Sequence, residues 1–61
     1  MKYYRVFKVV NGKTVEQELS RDSINSEKIA EKEVELLQRY GYQAHYVEYP
    51  DALAYSLGKP A

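Results

Sequence analysis

The dipeptide Asn11-Gly12 constrains this chain more than any other feature. It separates residues 2–10, rich in Val, Tyr and Phe, from a second strand-like run over residues 14–19. Both central positions of a type I′ turn need positive φ, which Asn and Gly adopt readily, so the pattern predicts a β-hairpin over residues 2–19. Two registers fit. A two-residue loop pairs Val10 with Lys13 and groups Tyr4, Val6, Val10, Val15 and Leu19 on one face. A type I turn with a Gly bulge groups Tyr3, Phe7, Val9, Val15 and Leu19 instead. A slip of one residue exchanges the faces, so the register decides which rings are buried.

A polar connection over residues 20–25 leads to a helix over residues 26–40, with Asn25 or Ser26 as the N-cap. Glu27 near its start and Arg39 near its end suit the helix dipole. Gly41 is the expected left-handed residue that closes it. At 100° per residue, Ile29, Ala30, Val34, Leu36, Leu37 and Tyr40 fill one arc, and Glu33 falls inside it. A carboxylate there needs a partner, for which Arg5, Lys8 or a Tyr hydroxyl are the candidates. Residues 42–49 read as a third strand ended by Pro50, with Ala44 and Tyr46 on one face and His45, Val47 and Tyr49 on the other. A short helix over residues 51–57 follows, capped by Asp51 and stopped by Gly58.

The expected fold class is α+β: one domain over residues 1–61, in the order β-β-α-β. A three-stranded sheet packs on one long helix, with a short C-terminal helical turn. The third strand either lies beside the first, parallel to it with the helix as crossover, or takes an outer edge. In both cases two strand edges stay open and invite another chain.

Size and composition narrow the function classes. The chain has 61 residues, no Cys, one His and a formal net charge of zero. A chain this short buries only about 60% of its extended surface. Disulfides are excluded, and a His-based metal cage is not expected from a single His45. Self-association or an efficient aromatic core remains, and seven Tyr with one Phe suit either. Apolar runs are too short for a membrane span or a signal peptide, so no membrane partner is expected, and the absence of Cys predicts a cytoplasmic protein.

Catalytic signals are weak. Gly12, Gly41 and Gly58 form no phosphate-binding pattern, and the serines suit caps and turns. His45 has no nucleophile or carboxylate joined to it by spacing. No catalytic, cofactor-binding or metal-binding residue is assigned, and an enzyme is not expected.

Nucleic acid is the alternative partner. Residues 1–13 hold four cations and no acid, with Lys2, Arg5, Lys8 and Lys13 interleaved with Tyr3, Tyr4 and Phe7. Rings stack on bases while cations hold phosphates. Residues 14–35 reverse the sign, with seven acids against three bases. Glu16 and Glu18 on the adjacent strand pair with Arg5 or Lys8 and cancel the field. Zero net charge disfavours a dedicated nucleic-acid binder.

The first strand, the Asn11-Gly12-Lys13 turn, the second strand and the helix together loosely resemble the small DNA-binding hairpin-plus-helix module at the front of some phage integrases. The resemblance covers residues 3–40 and implies DNA binding. Glu16, Glu18 and the acidic row Glu27, Glu31, Glu35 depart from a basic DNA-facing sheet, so no binding residues are carried over.

The sequence therefore predicts a noncatalytic protein-interaction module that self-associates through strand edges and exposed tyrosines. Tyr is favoured at interfaces because it offers a large rigid contact. Tyr3, Tyr4, Tyr46 and Tyr49 are the expected interface residues, with Phe7 and Leu19 depending on register. A second, unknown protein partner is also expected, and the acidic helix row would attract a basic one.

Overall fold

A computed structural model describes residues 1–60. Strands β1 (Tyr3–Val10) and β2 (Lys13–Gln17) form the hairpin, and a single 3-10 turn spans Arg21–Ser23. Helix α1 (Glu27–Arg39), strand β3 (Ala44–Tyr49) and helix α2 (Ala52–Leu57) follow. The sheet order is β2-β1-β3, with β1 antiparallel to both neighbours.

Asn11 at φ 52° and Gly12 at φ 80° make the two-residue turn, and Val10 pairs with Lys13. Of the two registers, the tight loop is the one formed; the Gly-bulge grouping of Tyr3, Phe7, Val9 and Val15 does not occur. Tyr4, Val6, Lys8 and Val10 therefore share a face with Val15 on β2 and with Ala44, Tyr46 and Glu48 on β3. This face meets α1. The core is Tyr4, Val6, Ala30 and Leu37, with Leu19, Val34, Ala44 and Tyr46 packed around it.

The third strand does lie beside the first, but it runs antiparallel, not parallel. The path of the chain explains this. β2 ends beside the start of β1, and the connection stays there, with the Tyr4 N–H donating to the Ile24 carbonyl at 2.7 Å. Thirteen residues of α1, at about 1.5 Å each, return the chain ~20 Å to the hairpin end. There the Gln43 carbonyl accepts from the Val9 N–H at 2.9 Å. β3 can only run back down. The crossover relation expected of β1 and β3 belongs instead to β2 and β3, with β1 between them.

Both ends of α1 are closed locally. The Ser26 hydroxyl accepts from the Ile29 N–H. At the other end Gly41 sits at φ 92°, and the N–H groups of Gly41 and Tyr42 return to the carbonyls of Gln38 and Leu37 at 3.0 Å each. This is the Schellman closure that a left-handed glycine permits.

α2 lies on the opposite face of the sheet. Its Tyr55 ring packs 5.5 Å from Tyr3 and 5.6 Å from Tyr49, centroid to centroid. Asp51 caps its start by accepting from the Ala54 N–H at 2.8 Å.

Candidate interaction surfaces

Coverage of the sheet is uneven. α1 and α2 each pack against β1 and β3, on opposite faces, and neither packs substantially on β2. Every β2 residue but Gln17 is exposed. The helix arc predicted to be apolar and buried is split by this offset. Ala30 and Leu37 are buried and Val34 and Glu33 half-buried, whereas Ile29, Leu36 and Tyr40 are 39%, 42% and 73% exposed. Those three lie about 90° round the helix from the buried row, away from Glu27 and Glu31. Glu27 and Glu31 face β3, because the Tyr46 hydroxyl lies 3.3 Å from Glu27 Oε2 and 3.5 Å from Glu31 Oε1. The apolar flank therefore overhangs the β2 side, where Val15 on the same face is 38% exposed.

The β3 side is polar and closed. Tyr46 donates to one of the two helix carboxylates at a time, and the Tyr4 hydroxyl donates to Glu48 Oε1 at 3.3 Å. Lys2 pairs with the other oxygen of Glu48 at 3.5 Å. Burial raises the pKa of Tyr4 above the ordinary phenol value, and the carboxylates of Glu27 and Glu48 add to it. Tyr46 is raised likewise, first by burial, then by Glu27 and Glu31. Both phenols are held protonated as donors.

On the α2 face, Arg5 acts as a pin. Its guanidinium donates to both Glu16 oxygens at 3.0 and 3.1 Å and to the Tyr55 carbonyl at 2.8 Å. It also stacks 3.9 Å from the Tyr55 ring centroid. Arg5 pairs with Glu16 across the strands as expected, whereas Glu18 lies past the end of β2 and Lys8 sits over the Tyr42 ring, so neither joins that pairing. The tie to Tyr55 was not expected, because residues 50 positions apart leave no periodic signal. Beyond α2, Phe7 stacks on His45 at 5.4 Å on the open half of this face.

The interface tyrosines fall differently from expectation. Tyr4 and Tyr49 are 5% and 3% exposed, so the fold itself consumes them. Tyr3 and Tyr46 are half-buried, engaged with Tyr55 and with Tyr4 plus the helix carboxylates. The exposed rings are Tyr40 and Tyr42. Phe7 is half-buried on the α2 face, and Leu19 half-buried beside the core. None of the candidate partners meets Glu33: Arg5 lies on the other face, Lys8 sits over the Tyr42 ring at 5.0 Å, and the hydroxyls serve Glu27, Glu31 and Glu48. Glu33 is half-buried and keeps access to solvent.

The four cations proposed for nucleic acid are dispersed. Lys2 is paired at the start of β1, Lys8 and Lys13 lie towards the hairpin on α1's side, and Arg5 is committed on the opposite face. An open cleft of about 470 Å³ runs between Arg5, Glu16, Arg21, Ile24 and Tyr55, but its central charges already satisfy each other. Among the described residues no group of three or more His, Asp or Glu is gathered as metal ligands would be, and no helix is long and apolar enough to cross a membrane. Compared with family models, curated proteins and solved structures, the chain matches none.

Proposed function

We propose that this chain is a noncatalytic, cytoplasmic protein-interaction module that self-associates through an open strand edge. One observation carries the reading: β2 is covered by neither helix, its Val15 is exposed, and the exposed apolar flank of α1, Ile29, Leu36 and Tyr40, is the one turned away from β3. An uncovered strand edge next to an apolar flank is a template for main-chain pairing.

The interface moves accordingly from Tyr3, Tyr4, Tyr46 and Tyr49 to the β2 side. Nucleic-acid binding through Lys2, Arg5, Lys8 and Lys13 is the less favoured reading, because two of these cations are already paired and the four do not share a face.

Sedimentation across a concentration series, at low and moderate salt, tests the proposal. A mass rising from one chain towards two as concentration increases is expected. A single-chain mass at every concentration overturns self-association.

A further inference from the structure

Main-chain geometry fixes what the β2 edge offers. The Val9 N–H reaches Gln43 on the β3 side, and the Tyr4 N–H reaches Ile24 on the β2 side. Even-numbered residues of β1 therefore bond towards β2, and their partners Lys13, Val15 and Gln17 turn their main-chain groups inward. Alternation leaves the N–H and C=O groups of Thr14 and Glu16 pointing outward. Between them, Val15 projects its side chain on α1's face.

We infer that the occupant of this edge is a second copy of the chain, paired antiparallel with β2 about a two-fold axis at Val15. This rests on the self-association proposed above. In that register Thr14 faces the partner subunit's Glu16, and each of the two such pairs exchanges both its N–H···O bonds. Val15 faces the partner subunit's Val15, covering an exposed apolar side chain with its own copy. Lys13 faces the partner subunit's Gln17. No like charges stand directly opposite. Each Glu16 arrives with its charge held by Arg5 at 3.0 Å.

Other pairings fail on charge or burial. Sliding by two residues sets Glu16 against Glu16 in one direction, which is repulsive, and Val15 against Lys13 in the other. Pairing through β3 brings together Glu27, Glu31 and Glu48 of both chains, with Lys2 paired to Glu48 as partial compensation. β2 also lacks the proline or bulge that guards an edge.

The pair joins two sheets into one of six strands with both α1 helices on the same face. Strands lie about 4.8 Å apart, and α1 sits over β1 and β3, so the two helix axes stand about 19 Å apart. Helices in contact are about 8–10 Å apart. The helices therefore do not meet, and Ile29, Leu36 and Tyr40 line a trough above the paired strands. The strands, not the helices, hold the pair.

The test uses the exposed position at the axis. Val15→Lys and Val15→Glu each place like charges opposite one another and are expected to weaken the pair about tenfold or more. Val15 is outside the core but stands opposite Lys8 of its own strand pair, so Val15→Glu is expected to keep the wild-type circular dichroism, and Val15→Lys is compared only where its circular dichroism matches as well. An equimolar mixture of the two restores the two-chain mass. Val15→Cys adds the only thiol to a chain without Cys. A pair not joined by hydrogen bonds has its Cα atoms about 4.5 Å apart, within disulfide range. Val15→Cys is then expected to cross-link in oxidant much faster than Leu53→Cys, although Leu53 on α2 is the more exposed position, at 69% against 38%. A two-chain mass with neither restoration nor preferential cross-linking overturns this interface while leaving self-association standing. A single chain at all concentrations overturns both.

Discussion

The two edge strands of this small sheet are built on opposite terms. β3 is sandwiched: α1 lies on one face, α2 on the other, and Tyr49 at its end is 3% exposed. β2 has neither helix and buries nothing completely. Both strands pair with the same β1, in the same antiparallel sense, so hydrogen bonding does not distinguish them. What differs is side-chain cover. This chain concentrates its limited apolar surface on one side of the molecule, and the bare side is where the proposed second copy would pair.

The largest effect that would break this comparison lies in the α1–sheet core. Leu37 is 5% exposed and packs with Tyr4, Val6 and Ala30. Leu37→Ala is expected to cost about 3 kcal/mol, a transfer loss plus a cavity. In a 61-residue domain that is most of the stability, and urea denaturation should show the variant largely unfolded at low denaturant. A loss below about 1 kcal/mol would mean that α1 is not the element holding β3.

Next in size is the α2 face. Tyr55→Ala removes both ring contacts and the surface over which Arg5 stacks. An expected cost of about 1–2 kcal/mol follows from aromatic pairing and a partly buried cation–π contact. Amide exchange should rise in α2 while α1 and the hairpin stay protected. The Tyr55 main-chain carbonyl remains available to Arg5, so the pin is weakened, not removed. Uniform loss of protection would show instead that α2 and α1 form one cooperative unit. By contrast Val15→Ala, on the bare strand, should change single-chain stability by less than about 0.5 kcal/mol.

How much of this asymmetry was legible beforehand depends on the range of the signal. Asn11-Gly12, Ser26, Gly41 and Asp51 act on their own neighbours, so the hairpin, the helix caps and the element order could be read directly. The helix arc was legible only as an average. A wheel marks Ile29, Leu36 and Tyr40 as apolar, but not that α1 sits off-centre, leaving them to solvent. The direction of β3 has no local signature, because it follows from the path of the chain along α1 back to the hairpin end. The tyrosines were misplaced for a related reason: a ring suits a core and an interface equally, and only long-range packing assigns Tyr4 and Tyr49 to the first. The Arg5–Tyr55 tie joins the two ends of the chain and had no local trace at all.

The smallest effect sharpens the comparison from the covered side. Glu27 is the carboxylate that contributes to raising both Tyr4 and Tyr46. Their folded pKa values lie above the unfolded value of about 10. Below pH 10 both states hold these protons. As pH rises past 10 the unfolded chain loses them first, so stability falls until the folded pKa values are passed. Glu27→Gln removes one negative charge while burial, the larger cause, remains. Both phenols should then titrate at lower pH, and the alkaline loss of stability should shrink. Stability near pH 7 should barely change, since the amide oxygen still accepts from Tyr46 and Glu31 stands beside it. Tyrosinate absorbance read against pH checks this. Tyr4 and Tyr46 contribute two of the seven tyrosines to that signal. An unchanged titration would mean that the acidic row is solvated and not turned onto β3. The chief reason for keeping a second copy off that edge would then disappear, and β2 would lose its advantage over β3.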